Sequence, residues 1–244
     1  MNQIPVAQTQ ATPWLVNWLG YLAIALLLVL PAAVLTVRAG AWQQGLMLYA
    51  IACLGAAILL LLAILLLLLP RFAPWRKAVA GRALVALPGS LLLLSILGAG
   101  SYPRIHDITT DLQQPPVFTA AEQRRGPDSN SLDIEPETLA IQAGAYPEIQ
   151  TLVTEREFED MFDRAVRTAT EMGWEIYLQD RNAGVIEAVD TTAMMNFKDD
   201  VVIRLRTNAD GTLVDLRSVS RVGLGDMGAN AARINAFLER LAQQ

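Results

Sequence analysis

Residues 197–234 read FKDDVVIRLRTNADGTLVDLRSVSRVGLGDMGANAARI, and this stretch decides the fold of the C-terminal half of the chain. Apolar and polar residues alternate over 201–206 and again over 212–221, which is the spacing of two half-buried strands. The sequence NADG at 208–211 lies between them and is typical of a tight turn. The pattern therefore predicts a β-hairpin.

A simple four-residue loop in this hairpin fixes which residues face each other. It places Arg204 opposite Asp215 and Val202 opposite Arg217. One face of the hairpin is then apolar and carries Val201, Ile203, Leu205, Val214 and Leu216. The other face is charged and carries Arg204, Arg206, Asp215 and Arg217, with Arg221 just beyond. We expect the apolar face to form the core and the charged face to stay open for binding.

The rest of the C-terminal half adds strands and helices to this hairpin. The other predicted elements are a strand at 149–154, a helix ending near Gly173, strands at 174–179 and 185–190, and a helix at 229–241. Thr154 and Glu157 have the spacing of a capping box at the start of the first helix. The order β-α-β-β-β-β-α predicts an α+β domain, an antiparallel sheet with two helices on its apolar face in a helix-grip-like arrangement.

The N-terminal half contains three apolar runs, at about 18–37, 46–69 and 83–100. Each is close to the roughly 20 residues that a helix needs to cross a bilayer. None has an ionisable residue at its centre, which argues against a channel or pump. We therefore divide the chain into three membrane helices over 1–100, an extended segment and linker over 101–145, and a soluble α+β domain over 146–244.

Charge bias predicts the orientation of these helices. The second loop contains four cationic residues, Arg71, Arg76, Lys77 and Arg82, whereas the first loop contains only Arg38. Because cationic loops stay in the cytoplasm, we expect a cytoplasmic N-terminus and a C-terminal domain on the outside. In a bacterium with two membranes this is the inner membrane, with the domain in the periplasm. A signal peptide is a weaker interpretation of the first run, since no Lys or Arg precedes it.

The segment 101–145 joins the two halves. It contains the only histidine, His106, next to Asp107, and Pro115 and Pro116 oppose a helix. One His-Asp pair is too small a ligand set for zinc, and no G-x-S-x-G elbow supplies a nucleophile. We expect His106 and Asp107 to pin the segment to the domain by hydrogen bonds, and residues 119–145 to be a solvated linker.

Gly223, Gly225 and Gly228 form a literal G-x-G-x-x-G motif between a predicted strand and a helix. A dinucleotide site also needs a βαβ unit with an acidic residue on its second strand, and no second strand is predicted after the motif. We expect Asp226 to cap the helix, and we predict no nucleotide and no other cofactor. A smaller alternative is an anionic ligand near the helix start, held by Arg217 and Arg221.

Lys198, Asp199 and Asp200 are the strongest candidates for chemistry. Paired carboxylates do acid–base catalysis when burial raises the pKa of one of them. The simpler interpretation is that they are exposed turn carboxylates that pair with nearby arginines. A hydrolase or transferase that uses this cluster is therefore the alternative to a binding protein.

Several segments together resemble a known family. They are IHDITTD with PPVF, YPEIQ, GWEI, AVDTT, FKDDVVIRLR and DLRSVSRVGLGDMGANAARI, and they are similar to the domain of unknown function 1499 over about residues 103–241. The three apolar runs ahead of it match the membrane-anchored bacterial type. Similar members tend to have aromatics where Ala193, Met194 and Met195 stand, and often Ser where Gly225 stands.

This resemblance implies little about function, although some plastid relatives are linked to photosystem assembly. The candidate binding residues that it carries over are His106, Asp107, Lys198, Asp199, Asp200, Arg217, Ser218, Arg221, Asp226, Asn230 and Arg233. It assigns none of them a catalytic role and implies no metal. We expect a non-enzymatic binding or assembly module whose partner is an envelope protein or an anionic lipid headgroup. A passive membrane spacer is a third interpretation. A net charge of −5 argues against nucleic acid.

Overall fold

The computed structural model describes residues 11–98, 100–209 and 211–243. Contacts divide the chain into two compact units, Met1–Gly100 and Ser101–Gln244. Ala99, in the predicted third span, and Asp210, in the predicted hairpin turn, lie outside the described residues.

The first unit is a bundle of three helices, each long and apolar enough to cross a membrane. They are α1 (Trp14–Arg38), α2 (Trp42–Leu68) and α3 (Arg76–Gly98), with a 3-10 turn, Pro70–Trp75, between the last two. Small residues allow close packing, since a Cβ added at Gly89 would lie 2.7 Å from the Cβ of Ala56.

Helix α3 differs from the prediction at its start. The apolar run alone suggested residue 83, whereas the helix begins at Arg76. Arginine and lysine are good helix formers, so the helix extends through the charged segment that hydropathy assigns to a loop. Arg76, Lys77 and Arg82 therefore lie on α3 itself.

The second unit is an α+β domain built on a six-stranded sheet. Its elements are β1 (Asp107–Thr109), α4 (Pro136–Ala145), β2 (Leu152–Thr154), α5 (Phe158–Glu171), β3 (Glu175–Asp180), β4 (Val185–Thr191), β5 (Lys198–Asn208), β6 (Gly211–Ser220) and α6 (Ala229–Gln243). The strands are antiparallel in the order β1-β6-β5-β4-β3, and β2 also pairs with β6. The predicted β-α-β-β-β-β-α order is confirmed, and β1 and α4 are additions to it.

The predicted register of the β5–β6 hairpin is confirmed. Arg204 pairs with Asp215 and Val202 with Arg217. The odd-numbered residues of β5 and the even-numbered residues of β6 therefore face one layer, and their neighbours face the other.

The apolar face of the sheet packs against α5 and α6, as predicted. Its core includes Phe162 of α5 and Phe237 of α6, and the Phe237 ring stacks on Trp174 with 5.2 Å between centroids. The start of α5 differs from the prediction. The helix begins at Phe158 without a side-chain cap, because Thr154 belongs to β2 and the predicted capping box does not form.

The opposite face of the sheet is covered, contrary to the expectation that it would be open. Residues 110–134, here called the strap, run across it, and Phe118 and Ala121 pack on Val202 and Val219 in a second apolar cluster. The predicted linker over 119–145 thus differs from the structure, which places a 3-10 turn and α4 there. The polar composition of this segment predicted exposure to solvent, but its polar groups form hydrogen bonds with the sheet.

Candidate functional site

Arg217 lies between the sheet and the strap, and only 1% of it is exposed. Its guanidinium forms a two-pronged pair with Asp107, at 2.6 and 2.9 Å. It also donates to the Leu132 carbonyl at 2.9 Å and lies over the Phe118 ring at 5.6 Å. These contacts use Arg217 to hold the strap, so this candidate is not on a binding surface.

Asp200 is the centre of a second buried cluster under the strap. It accepts two hydrogen bonds from Arg221, at 2.7 and 3.0 Å, and the Arg125 Nε lies 3.1 Å away. Burial lowers the pKa of the Arg125 guanidinium below its ordinary value, and the nearby Asp200 charge opposes that shift. The expectation of an exposed turn carboxylate is wrong for Asp200.

Asp199 points to the other side of the sheet, because successive strand residues face opposite ways. It is buried and pairs with Arg233 of α6 at 2.5 Å, and Arg233 also holds Asp190 at 2.6 Å. Lys198 is exposed. The predicted Lys198-Asp199-Asp200 cluster therefore does not exist as one site, since the sheet separates its carboxylates.

A polar group of residues lies on the face of β6 that packs against α6, and it contains Ser218, Asn230 and His106. Asn230 accepts a hydrogen bond from the Ser218 hydroxyl at 2.7 Å and donates to the His106 carbonyl at 2.9 Å. Asp226 caps α6 as predicted, accepting from the N–H groups of Gly228 and Asn230. The 106–107 segment is thus pinned to the domain by hydrogen bonds, as the sequence indicated.

The glycine motif has a packing role. Gly228 has a positive φ of 82°, and a Cβ there would lie 2.6 Å from the Tyr102 ring. The Asp226 N–H donates to the Ile105 carbonyl at 3.2 Å. The loop 223–228 thus packs against residues 102–105, and its side chain Leu224 is 74% exposed.

Glu187 is a fully buried carboxylate that sequence reasoning missed. It accepts hydrogen bonds from the N–H groups of Thr119, Ala120 and Ala121 and from the Thr119 hydroxyl. It therefore holds the turn of the strap from the middle of β4. Burial, with the charges of Asp200 and Glu187, raises the pKa of the adjacent Tyr177. The only sequence signal was a single acid within the otherwise apolar strand VIEAV.

A third charged cluster lies at the edge of the sheet around Asp215, which is fully buried. Its Oδ1 accepts from the hydroxyls of Thr151, at 2.5 Å, and Thr110, at 3.2 Å. Its Oδ2 binds Arg204 and Arg206 at 2.9 and 2.7 Å, and both arginines also bind Asp111. Two carboxylates thus balance two guanidinium groups.

Taken alone, the partial burial of Asp111 would raise the pKa of its carboxyl. The N–H groups of Gln114 and Gln113 and the charges of Arg204 and Arg206 outweigh that effect. The pKa of Asp111 therefore lies below its ordinary value, and its charged form stabilises the fold.

An open pocket borders this cluster where the edge of the sheet is covered in two pieces. Strand β1 pairs with residues 217–219 of β6 and strand β2 with residues 212–214, which leaves a gap beside Asp215. The gap opens into a pocket of about 440 Å³, here called the edge pocket. Its lining is Thr110, Asp111, Leu112, Gln113, Ala143, Tyr146, Pro147, Ile149, Gln150 and Thr151.

A second hollow, of about 520 Å³, lies between α5 and the β3–β4 turn. Arg181 and Glu159 border it and pair with each other at 2.7 Å on the exposed surface. Within residues 11–98, 100–209 and 211–243, no group of three or more His, Cys, Asp or Glu side chains is placed to hold a metal ion.

A family model described as protein of unknown function (DUF1499) matches residues 107–241, which is more than half of the chain. The chain belongs to this family. The DUF1499 match begins at the first residue of β1, so it includes the strap as well as the sheet and helices. No curated protein matches the chain. The family description gives no activity.

Replacing Arg217 with Met should release the strap. The change leaves the partly buried Asp107 without its partner, and the 3–5 kcal/mol that removing one member of a fully buried pair costs is roughly the upper bound here. We expect a lower unfolding temperature and faster proteolysis within residues 110–134. The control is Arg156→Met, which removes an exposed ion pair and should change little. Equal behaviour of the two variants would contradict this role of Arg217.

Replacing Asp111 with Asn should reduce stability in a pH-dependent way. Because the pKa of Asp111 is lower in the folded state, its contribution is complete above its unfolded pKa of about 4. The contribution is lost as the pH falls through the lower folded value. Unfolding measured from pH 7 to pH 2 should therefore show a gap between wild type and variant that closes in acid. A constant gap, or the same behaviour in the exposed Glu137→Gln control, would refute this.

Proposed function

We propose that the protein is a membrane-anchored, non-enzymatic binding module, and that the edge pocket is where its domain binds a partner protein. The main support for the proposal is the contrast between the paired charges of the sheet and the open space of the edge pocket. The carboxylates and guanidinium groups of the sheet bond to one another, whereas the edge pocket leaves about 440 Å³ of open space beside polar side chains.

The charges around the edge pocket favour an uncharged polar segment of a partner. Asp111 and Asp215 are balanced by Arg204 and Arg206, so the site offers no net positive charge to an anion. Exposed Gln113 and Gln150 border the opening, and amide side chains both donate and accept hydrogen bonds. A backbone segment of another protein presents matching donors and acceptors.

The enzymatic alternative has lost its main support. A hydrolase or transferase needs its acid, base and nucleophile within hydrogen-bond reach of one substrate. Asp199 and Asp200 lie on opposite faces of the sheet, and each is held by arginine. A binding role requires no such convergence.

The edge pocket can be tested by photocrosslinking in native membranes. A benzophenone amino acid at Gln113 or Gln150 should give one adduct of defined mass, while the same group at exposed Glu171 should give none. Ala143→Trp should abolish the adduct by filling the pocket, since Ala143 is exposed and lines it. The matched control is Ala183→Trp, which fills the second hollow and should leave the adduct intact. An adduct that survives Ala143→Trp, or no adduct at either position, would overturn the proposal.

We also propose that the protein spans a bacterial inner membrane with its C-terminal domain in the periplasm. The support is that four cations, Arg71, Arg76, Lys77 and Arg82, follow α2, whereas the end of α1 has one, its last residue Arg38.

A reporter that is active only outside the cytoplasm tests this orientation. Fused after residue 244 it should be active, and fused between α2 and α3 it should be inactive. The reverse result would place the domain in the cytoplasm.

A further inference from the structure

The first unit has an unbalanced charge. Five cationic side chains lie in it, Arg38, Arg71, Arg76, Lys77 and Arg82, and the chain contains no Asp or Glu before Asp107. The unit itself therefore contains no carboxylate that could balance these charges.

Four of the five cations cluster at one end of the helix bundle, around the 3-10 turn Pro70–Trp75 and the start of α3. The hydrogen bonds that Arg76 and Arg82 make to described residues go to neutral groups. Arg82 donates to the Asn17 side-chain oxygen at 3.0 Å, and Arg76 donates to the Leu67 carbonyl at 3.3 Å. These bonds orient the side chains without neutralising their charge.

A pocket of about 400 Å³ opens at this same end and contains one of the cations, Arg71. Its lining is Pro13, Trp14, Leu15, Arg71, Phe72 and Trp75. The Arg71 guanidinium lies 5.7 Å from the Phe72 ring centroid, and Trp14 is 73% exposed. The pocket therefore joins a guanidinium to two indoles and to the apolar surface of α1.

This combination fits one class of ligand. A guanidinium binds phosphate oxygens through paired, charge-assisted hydrogen bonds. Indole rings favour the headgroup level of a bilayer, and Leu15 gives an acyl chain an apolar neighbour. A free phosphate would use only the guanidinium, whereas a phospholipid would use the whole lining.

We propose that this pocket binds the headgroup of an anionic phospholipid, with Arg71 as the residue that contacts the phosphate. The site lies entirely within the first unit and does not depend on the edge pocket or on the domain's partner. It supplies the negative charge that residues 1–106 lack.

Native mass spectrometry of the full chain, purified from mixed phosphatidylglycerol and phosphatidylcholine, tests the proposal. Wild-type protein should retain one phosphatidylglycerol in preference to phosphatidylcholine. Arg71→Gln should lower the retained fraction about tenfold, the loss expected for a charge-assisted hydrogen bond. The matched control is Arg38→Gln, which makes the same charge change at the opposite end and should retain the lipid. Arg71→Lys keeps the charge but loses the paired hydrogen bonds, so it should retain a fraction between those of wild type and Arg71→Gln.

Three outcomes would overturn the site. Equal loss in Arg71→Gln and Arg38→Gln would mean that net charge alone attracts lipid. Equal retention of phosphatidylcholine would mean that the headgroup charge is not recognised. Displacement of the lipid by inorganic phosphate at millimolar concentration would assign the pocket to free phosphate instead.

Discussion

A guanidinium or carboxylate removed from water needs a partner for its charge, and this constraint organises the whole domain. The strap follows the line of polar groups on one face of the sheet. The Leu132 carbonyl accepts a hydrogen bond from Arg217, Arg125 pairs with Asp200, and the backbone N–H groups of residues 119–121 donate to Glu187. Since the sheet also packs helices on its other face, both faces are buried. The domain is therefore a three-layer structure in which the third layer has almost no regular secondary structure.

Much of the fold could be predicted because local sequence determines it. The pairing of Asn208 with Gly211 sets the hairpin register, and alternation then identifies the residues that face α5 and α6. The capping role of Asp226 followed from its place before a helix. The apolar helices were recognisable from length and hydropathy alone, although α3 begins at Arg76 because charged residues continue a helix as well as apolar ones.

The covered face could not be predicted, because alternation shows only that one side of a strand is polar. It does not distinguish a side that faces water from one that faces a polar layer. Arg217 pairs with Asp107, 110 residues away in sequence, and Arg204 binds Asp111, 93 residues away, in addition to its hairpin neighbour Asp215. Separations of about 100 residues lie beyond any periodic signal. Glu187 is ambiguous in the same way. A single acid in an apolar strand predicts an exposed side chain, although this one is buried. The sequence predicts binding at a charged face of the sheet, whereas the structure favours binding at the edge pocket, where the charges are balanced.

The distance along the chain between Asp107 and Arg217 has a consequence for the order of folding. The residues that follow the third apolar helix are synthesised before the hairpin whose arginines hold them. Non-local contacts form only after the intervening chain is available. The strap can therefore pack on the sheet only after β5 and β6 have been synthesised and have folded. The first part of the domain to be synthesised is thus among the last to reach its native position. Until then its acidic and apolar groups stay in water, and a chain stopped before residue 217 has no guanidinium at that position to receive Asp107.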